Sequence, residues 1–129
     1  MILMKKLPHS PSHTARAIVV SCIDFRFQDF LTEWTKKTFK KEGFDRVALA
    51  GGVKNLPFVI DQVDLSHKLH HIKEVYLINH EDCGAYGKEG NFQKHKKDLL
   101  KAKDEIAKKI PSLKVFLLYL TLSGKFQKV

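Results

Sequence analysis

In Val75-Tyr76-Leu77-Ile78-Asn79-His80-Glu81-Asp82-Cys83-Gly84 a buried strand runs out into a turn. Its first four residues form a continuous apolar run, the pattern of a strand covered on both faces. The run hands over to two soft or borderline metal donors, His80 and Cys83, and Gly84 then lets the backbone turn. A second run of the same kind, Ala17-Ile18-Val19-Val20-Ser21, ends at Cys22, the other of the chain's two cysteines. Two strand ends therefore each deliver a thiol, and one also delivers an imidazole.

Outward from these two runs, strand and helix periods alternate. Phe27, Phe30, Leu31 and Trp34 recur at helical spacing with charged residues between them, and Gly43 stands as the stop of that helix. Phe44 to Ala50 reads as a second strand ended by Gly51-Gly52. Asn55 is placed as an N-cap with Pro57 in the first turn, and Leu56, Ile60 and Val63 mark one face of a helix running to His70. His67, His70 and His71 crowd its end, where the helix dipole favours cations, so a structural role is assigned to them. Glu74 to Asn79 is the third strand. A lysine-rich helix from Asn91 to Ile110 presents Leu99, Ala102, Ile106 and Ile110 on one side, and Pro111 closes it. Lys114 to Leu122 is a fourth strand, and Lys125 to Val129 returns as a short edge strand after the Ser123-Gly124 turn.

This alternation predicts a three-layer α/β fold: a central, mostly parallel sheet of four strands in the common order 2-1-3-4, with an antiparallel edge strand and helices on both faces. Ligands of such sheets gather beyond the carboxyl ends of the strands, where the strand order reverses. Cys22 and His80 both fall at carboxyl ends, and they meet if their strands are neighbours there.

The 129 residues, 43% hydrophobic and 29% charged, make one domain spanning 1–129, large enough to bury a core. Residues 1–14, with Pro8, Pro11, His9 and His13, read as an irregular arm on which the histidines are loop residues. No apolar run approaches the roughly 18 residues of a membrane span, and the start does not read as a secretion signal. The expectation is a cytoplasmic protein with reduced thiols, in which two cysteines form a metal or reactive pair. The net charge of +9 raises a nucleic-acid partner, but the lysines alternate with acids, as in Lys101-Ala102-Lys103-Asp104-Glu105, and no recognition motif accompanies them. A solvated, salt-bridged face is the reading preferred over a nucleic-acid surface, and no membrane partner is expected.

The chemistry rests on Cys22-Ile23-Asp24-Phe25-Arg26 and His80-Glu81-Asp82-Cys83. If the extended conformation persists past Cys22, then Cys22, Asp24 and Arg26 project to one side. Arg26 can grip Asp24 through two hydrogen bonds and keep it ionised. Cys22, His80 and Cys83 supply two sulfurs and one nitrogen, a set zinc accepts in catalytic sites that keep a fourth position open. The bland alternative leaves both cysteines as small buried apolar residues and His80 as a turn residue.

Cys22-x-Asp24-x-Arg26 followed by His80-x-x-Cys83-Gly84 resembles the pair of signatures of the β-class carbonic anhydrases, over roughly Ile18 to Leu122. The resemblance implies that Cys22, His80 and Cys83 are zinc ligands. It further implies that Asp24 and Arg26 form a dyad, with Asp24 either accepting a hydrogen bond from zinc-bound water or swinging to become the fourth ligand. It implies a homodimer or larger assembly with the site near the interface, and a small-molecule substrate, carbon dioxide, hydrated reversibly to bicarbonate. The chain departs from the pattern in several places. It reads as shorter than typical members, without most of their N-terminal helical arm, and Gly52 stands where asparagine is usual. Phe25 stands where a small residue is common, and Phe25 and Phe27 are placed as walls of the pocket. His71 and His95 are the candidates for proton export. Three other readings stay open: a zinc hydrolase acting on a small carbon–sulfur or carbonyl compound, a catalytically silent zinc module closed by Asp24, and a basic nucleic-acid binder using the Asn91 to Ile110 helix.

Overall fold

A computed structural model of the chain describes residues 13–129; the irregular arm read over 1–14, with His9, lies almost wholly outside them. Five strands form one sheet: β1 (Ala17–Ser21), β2 (Phe44–Ala48), β3 (Glu74–His80), β4 (Lys114–Leu120) and β5 (Phe126–Lys128). Their order is β2-β1-β3-β4-β5. The first four are parallel, and β5 runs antiparallel to β4. The expected order and the antiparallel edge are thus both observed.

Three α-helices connect the parallel strands: α1 (Gln28–Phe39), α2 (Leu56–His70) and α3 (Phe92–Lys109). The step from β1 to β2 runs one way along the sheet, whereas the steps to β3 and β4 run the other way. Right-handed crossovers then require the first helix on the face opposite the other two, and the core divides accordingly. Ile18, Val20, Val75 and Leu77 pack against Val59 and Val63 of α2 and Leu99, Ala102 and Ile106 of α3. Ala17, Val19, Tyr76 and Ile78 face the other way, onto Leu31 and Phe39 of α1. The unbroken apolar runs of β1 and β3 are explained by this double coverage.

Local boundaries follow side-chain chemistry. The Asn55 carboxamide accepts the Phe58 N–H at the start of α2, and Asn91 does the same for Lys94 at the start of α3. The structure corrects three expectations. Helix α1 ends at Phe39, four residues before Gly43, with Lys40 at φ 54°, because the chain must already be turning when it reaches β2. The buried stripe of α2 is Val59, Val63 and Ser66, with Leu56 and Ile60 packed at its margin. Strands β2 and β4 stop at Ala48 and Leu120, two residues short of their apolar runs.

Ile106 lies at 1% exposure between α3 and the sheet, far along the helix from the carboxyl ends of the strands. Ile106→Ala should cost about 2–4 kcal/mol by leaving a cavity there, measured as a lower urea midpoint with an unchanged slope.

Candidate metal centre

β1 lies at the point where the strand order reverses, with β2 on one side and β3 on the other. Parallel pairing runs from Ala17↔Glu74 to Val20↔Leu77, so Cys22, one residue beyond β1, emerges beside the end of β3 that carries His80. The backbone after β3 turns through Asp82, which adopts φ 58° and brings Cys83 back toward Cys22.

The ligand atoms of Cys22, His80 and Cys83 lie within 4.8 Å of one another, and all three side chains are buried. The two Sγ atoms are 3.9 Å apart. Two sulfurs at about 2.3 Å from one zinc, at the tetrahedral angle, would stand about 3.8 Å apart. The His80 Nδ1 meets the Glu81 carbonyl at 2.7 Å, which fixes the proton there and turns the lone pair of Nε2 inward. That buried Nε2 has no hydrogen-bond partner among the described residues. An orphaned imidazole nitrogen facing two convergent thiols suits a divalent cation, so the donor set fits zinc by distance and by chemistry.

Charge supports the same arrangement. Burial alone would push Cys22 up, but contact with His80 and the N–H groups of Gly51 and Asp24 outweighs it and brings the thiol down to about 7. The Gly51 N–H donates to this sulfur at 3.3 Å. Burial and the neighbouring Cys22 push Cys83 up. Burial would lower the His80 imidazole, but its contacts with Cys22 and the Glu81 carbonyl raise it overall.

Asp24 stands at the rim, its Oδ2 3.9 Å from His80 Nε2. The expectation of an extended 22–26 segment is corrected: residues Phe25–Phe27 form a single 3-10 turn. Asp24 caps that turn by accepting the Arg26 N–H at 3.0 Å, and the Arg26 guanidinium folds back onto the same carboxylate at 2.7 to 3.2 Å. The Arg26 hydrogen bonds hold the Asp24 carboxyl down to about 2. Arg26 also donates to the Asp82 carboxylate at 3.0 Å and the Asp82 carbonyl at 2.9 Å, tying the β1 exit to the loop that carries Cys83.

Several contributors escaped the sequence. The Gln28 amide donates to the Cys22 and Asp24 carbonyls at 3.2 and 2.8 Å, and Arg46 donates to Gln28 at 2.8 Å. Nothing in the spacing of Gln28 marks it. Asn79 did carry a signal, a carboxamide inside an apolar strand. It also explains Gly52: a Cβ at Gly52 would stand 2.5 Å from Asn79 Oδ1, and the residue has φ +55°. Of the two expected pocket walls, Phe27 is buried with its ring 4.2 Å from that of His80, but Phe25 is 85% exposed. His71 caps α2 at the amino end of β3, about 20 Å of strand from His80. His95 is fully buried, and burial pulls it down to about 4. Neither histidine links the site to solvent in this arrangement.

Comparison with known proteins follows the same line. The model of the family described as "Putative carbonic anhydrase" matches residues 12–129. An uncharacterized protein of Rickettsia conorii is 29% identical over 134 residues, covering 89% of this chain and 72% of its own length. One from Rickettsia bellii is 28% identical, covering 89% of this chain and 82% of its own length. Among solved structures, the fold is similar to a carbonic anhydrase from Glaciozyma antarctica, with TM-score 0.58 and 19% identity over 95% of this chain and 85% of that one. It is likewise similar to β-carbonic anhydrase isoform I from Trichomonas vaginalis, with TM-score 0.56 and 16% identity over 98% and 87%. Among the described residues no helix is long and apolar enough to cross a membrane.

A depressed carboxyl contributes stability above its unfolded-state pKa and loses it as pH falls through the folded value. Asp24 should therefore stay ionised down to about pH 2, with its contribution fading between about pH 4 and 2. In Arg26→Gln the Asp24 titration should move up toward the usual carboxylate range, read from its carboxyl carbon by NMR.

Proposed function

Since the chain belongs to the carbonic anhydrase family whose model it matches, we propose that it is a single zinc domain, a lyase that hydrates carbon dioxide reversibly to bicarbonate. The observation that carries the reading is the convergence of Cys22, His80 and Cys83 with an inward, unpartnered His80 Nε2. Those three residues would hold the ion. A zinc ion there supplies Lewis acidity toward water, weaker with two thiolates than with three neutral imidazoles, so that turnover rises toward alkaline pH.

The protein's own side chains set the rest. Asp24 remains an acceptor across the working pH range because Arg26 holds it ionised. The same grip aims the carboxylate and keeps it from moving inward to become a fourth ligand. Arg26 is itself anchored by Asp82, so the position of Asp24 depends on the Cys83 loop. Gln28 fixes the carbonyls at either end of the Cys22–Asp24 segment. Phe27 covers His80 with an apolar ring, which suits a nonpolar substrate and excludes water from one side.

Assembly as a homodimer or larger oligomer and residence in the cytoplasm belong to the same proposal. It rests on the family membership, the two-thiol site and the absence of a membrane-spanning helix among the described residues.

The test is metal analysis of the purified protein with a carbon dioxide hydration assay across pH. About one zinc per chain and alkaline-dependent turnover are expected, and a flat profile from mildly acidic to alkaline pH would contradict the two-thiolate argument. Arg26→Ala should keep its zinc and lose turnover by at least tenfold; full turnover in that variant would remove Asp24 and Arg26 from the machinery. Cys83→Ser should lose both zinc and activity.

A further inference from the structure

Behind His80 lies a buried polar cluster that the chemistry above does not use. Asn79 is 1% exposed, and each polar position of its carboxamide is engaged. Its Oδ1 accepts the Val53 N–H at 3.3 Å. Its Nδ2 donates to the Tyr86 hydroxyl at 3.1 Å and to His95 Nδ1 at 2.9 Å. Tyr86 donates in turn to Asp98 at 2.9 Å, and Lys94 donates to Asp98 at 3.0 Å. The amide orientation is determined by its partners, because a flipped carboxamide would set its N–H2 against the Val53 N–H. His95 must then be neutral, accepting at Nδ1 and carrying its proton on Nε2.

The three partners belong to three different segments. Val53 follows the Gly51–Gly52 turn whose Gly51 N–H donates to Cys22 Sγ. Tyr86 packs directly with Cys22 and Cys83 in a small buried cluster. His95 lies on α3, with its ring 4.0 Å from that of Tyr86. Asn79 itself immediately precedes His80. One side chain thus joins the loop that contacts the Cys22 sulfur, the loop that carries Cys83 and the strand that carries His80.

We infer that Asn79 is a positioning residue for the metal centre: through Val53 and Tyr86 it fixes the two loops whose spacing sets the Cys22–His80–Cys83 triangle. Tyr86 acts with it, presenting its ring to the sulfurs and its hydroxyl to Asn79 and Asp98. The close approach of Gly52 to Asn79 Oδ1 belongs to the same device, since any side chain at that position would push the carboxamide off Val53. The metal arm of this inference rests on the zinc reading, whereas its geometric arm does not.

The test compares Asn79→Ala, Tyr86→Phe and Ile106→Ala with the unaltered chain. Ile106→Ala lowers stability from a distant part of the core and so controls for destabilisation alone. Three quantities are read: zinc affinity by chelator competition, the absorption spectrum of the cobalt-substituted protein, and the rate at which metal-free Cys22 and Cys83 react with an aromatic disulfide reagent. Asn79→Ala should weaken zinc about 10- to 100-fold, shift the cobalt bands that report tetrahedral thiolate coordination, and speed thiol reaction several-fold. Tyr86→Phe should move all three the same way by less, and Ile106→Ala should leave the cobalt spectrum unchanged. If Asn79→Ala does not fold, Tyr86→Phe decides. Variants that keep the cobalt spectrum and thiol rates of the unaltered chain would overturn the inference. If the unaltered chain takes up no metal while Asn79→Ala still accelerates thiol reaction, the positioning role stands and the zinc reading falls.

Discussion

The parallel pairing of β1 with β3 is the constraint on which everything else depends. The register from Ala17↔Glu74 to Val20↔Leu77 places the end of β1 beside the last residues of β3. A slip of β1 by one residue would exchange the faces of all its side chains. It would drive Ile18 and Val20 away from α2 and α3, and it would separate Cys22 from His80. Such a slip is opposed by double burial, because both faces of both strands are covered. The register that satisfies the core is therefore the one that assembles the ligand triangle. Packing energy spread over many aliphatic contacts, each small, holds two distant parts of the chain to within a few ångströms.

The sheet can bring the ligands near one another, but it cannot orient them. Orientation falls to segments with little regular structure of their own, held by side chains acting as bridges. Arg26 closes the gap between the β1 exit and the Asp82 backbone, Gln28 spans the carbonyls of Cys22 and Asp24, and Asn79 spans Val53 and Tyr86. Each uses a planar, multivalent group, a guanidinium or a carboxamide, which can fix two partners at once with few rotatable bonds. Exposed loops are ordinarily the softest part of a fold. Here each loop around the triangle is tied at both ends, and Asp82 is driven into a left-handed conformation to make its turn.

What the sequence made legible divides along the same line. Strand order, the position of Asn55 as a helix cap, and the approach of Cys22 to His80 and Cys83 all follow from periodicity and topology. Those properties are shared by many sequences and can be read from one. The bridges were not legible in this way. Gln28 sits at the first turn of α1, where a polar residue is unremarkable, and its partner Arg46 lies 18 residues away. The 3-10 turn at Phe25–Phe27 defeated the expectation of an extended segment, because Asp24 caps its own neighbour instead of pointing along a strand. Phe25 and Phe27 look equivalent in sequence, yet one is buried and the other exposed, since a tight turn places residues two apart on different sides. Gly52 stood out as a departure from the family pattern and Asn79 went unread, and only their mutual contact gives either a reason.

The energetics of the centre argue in one direction. Cys22 and Cys83 are buried thiols 3.9 Å apart, and Asp24 is a carboxylate held ionised at their margin. Burying an ionised sulfur costs free energy unless a positive partner compensates. Arg26 does not supply that compensation, since its charge is committed to Asp24 and Asp82 on the outer side. His80 can offer one proton, but its Nδ1 is held by the Glu81 carbonyl and its Nε2 faces both sulfurs. Left to protons alone, the centre would keep Cys83 as a neutral thiol and share one proton between the Cys22 sulfur and His80. A divalent cation at this centre would remove the conflict, taking both sulfurs as thiolates and the imidazole as a neutral donor. The fold thus brings together two thiols and an imidazole whose charges a divalent cation would balance.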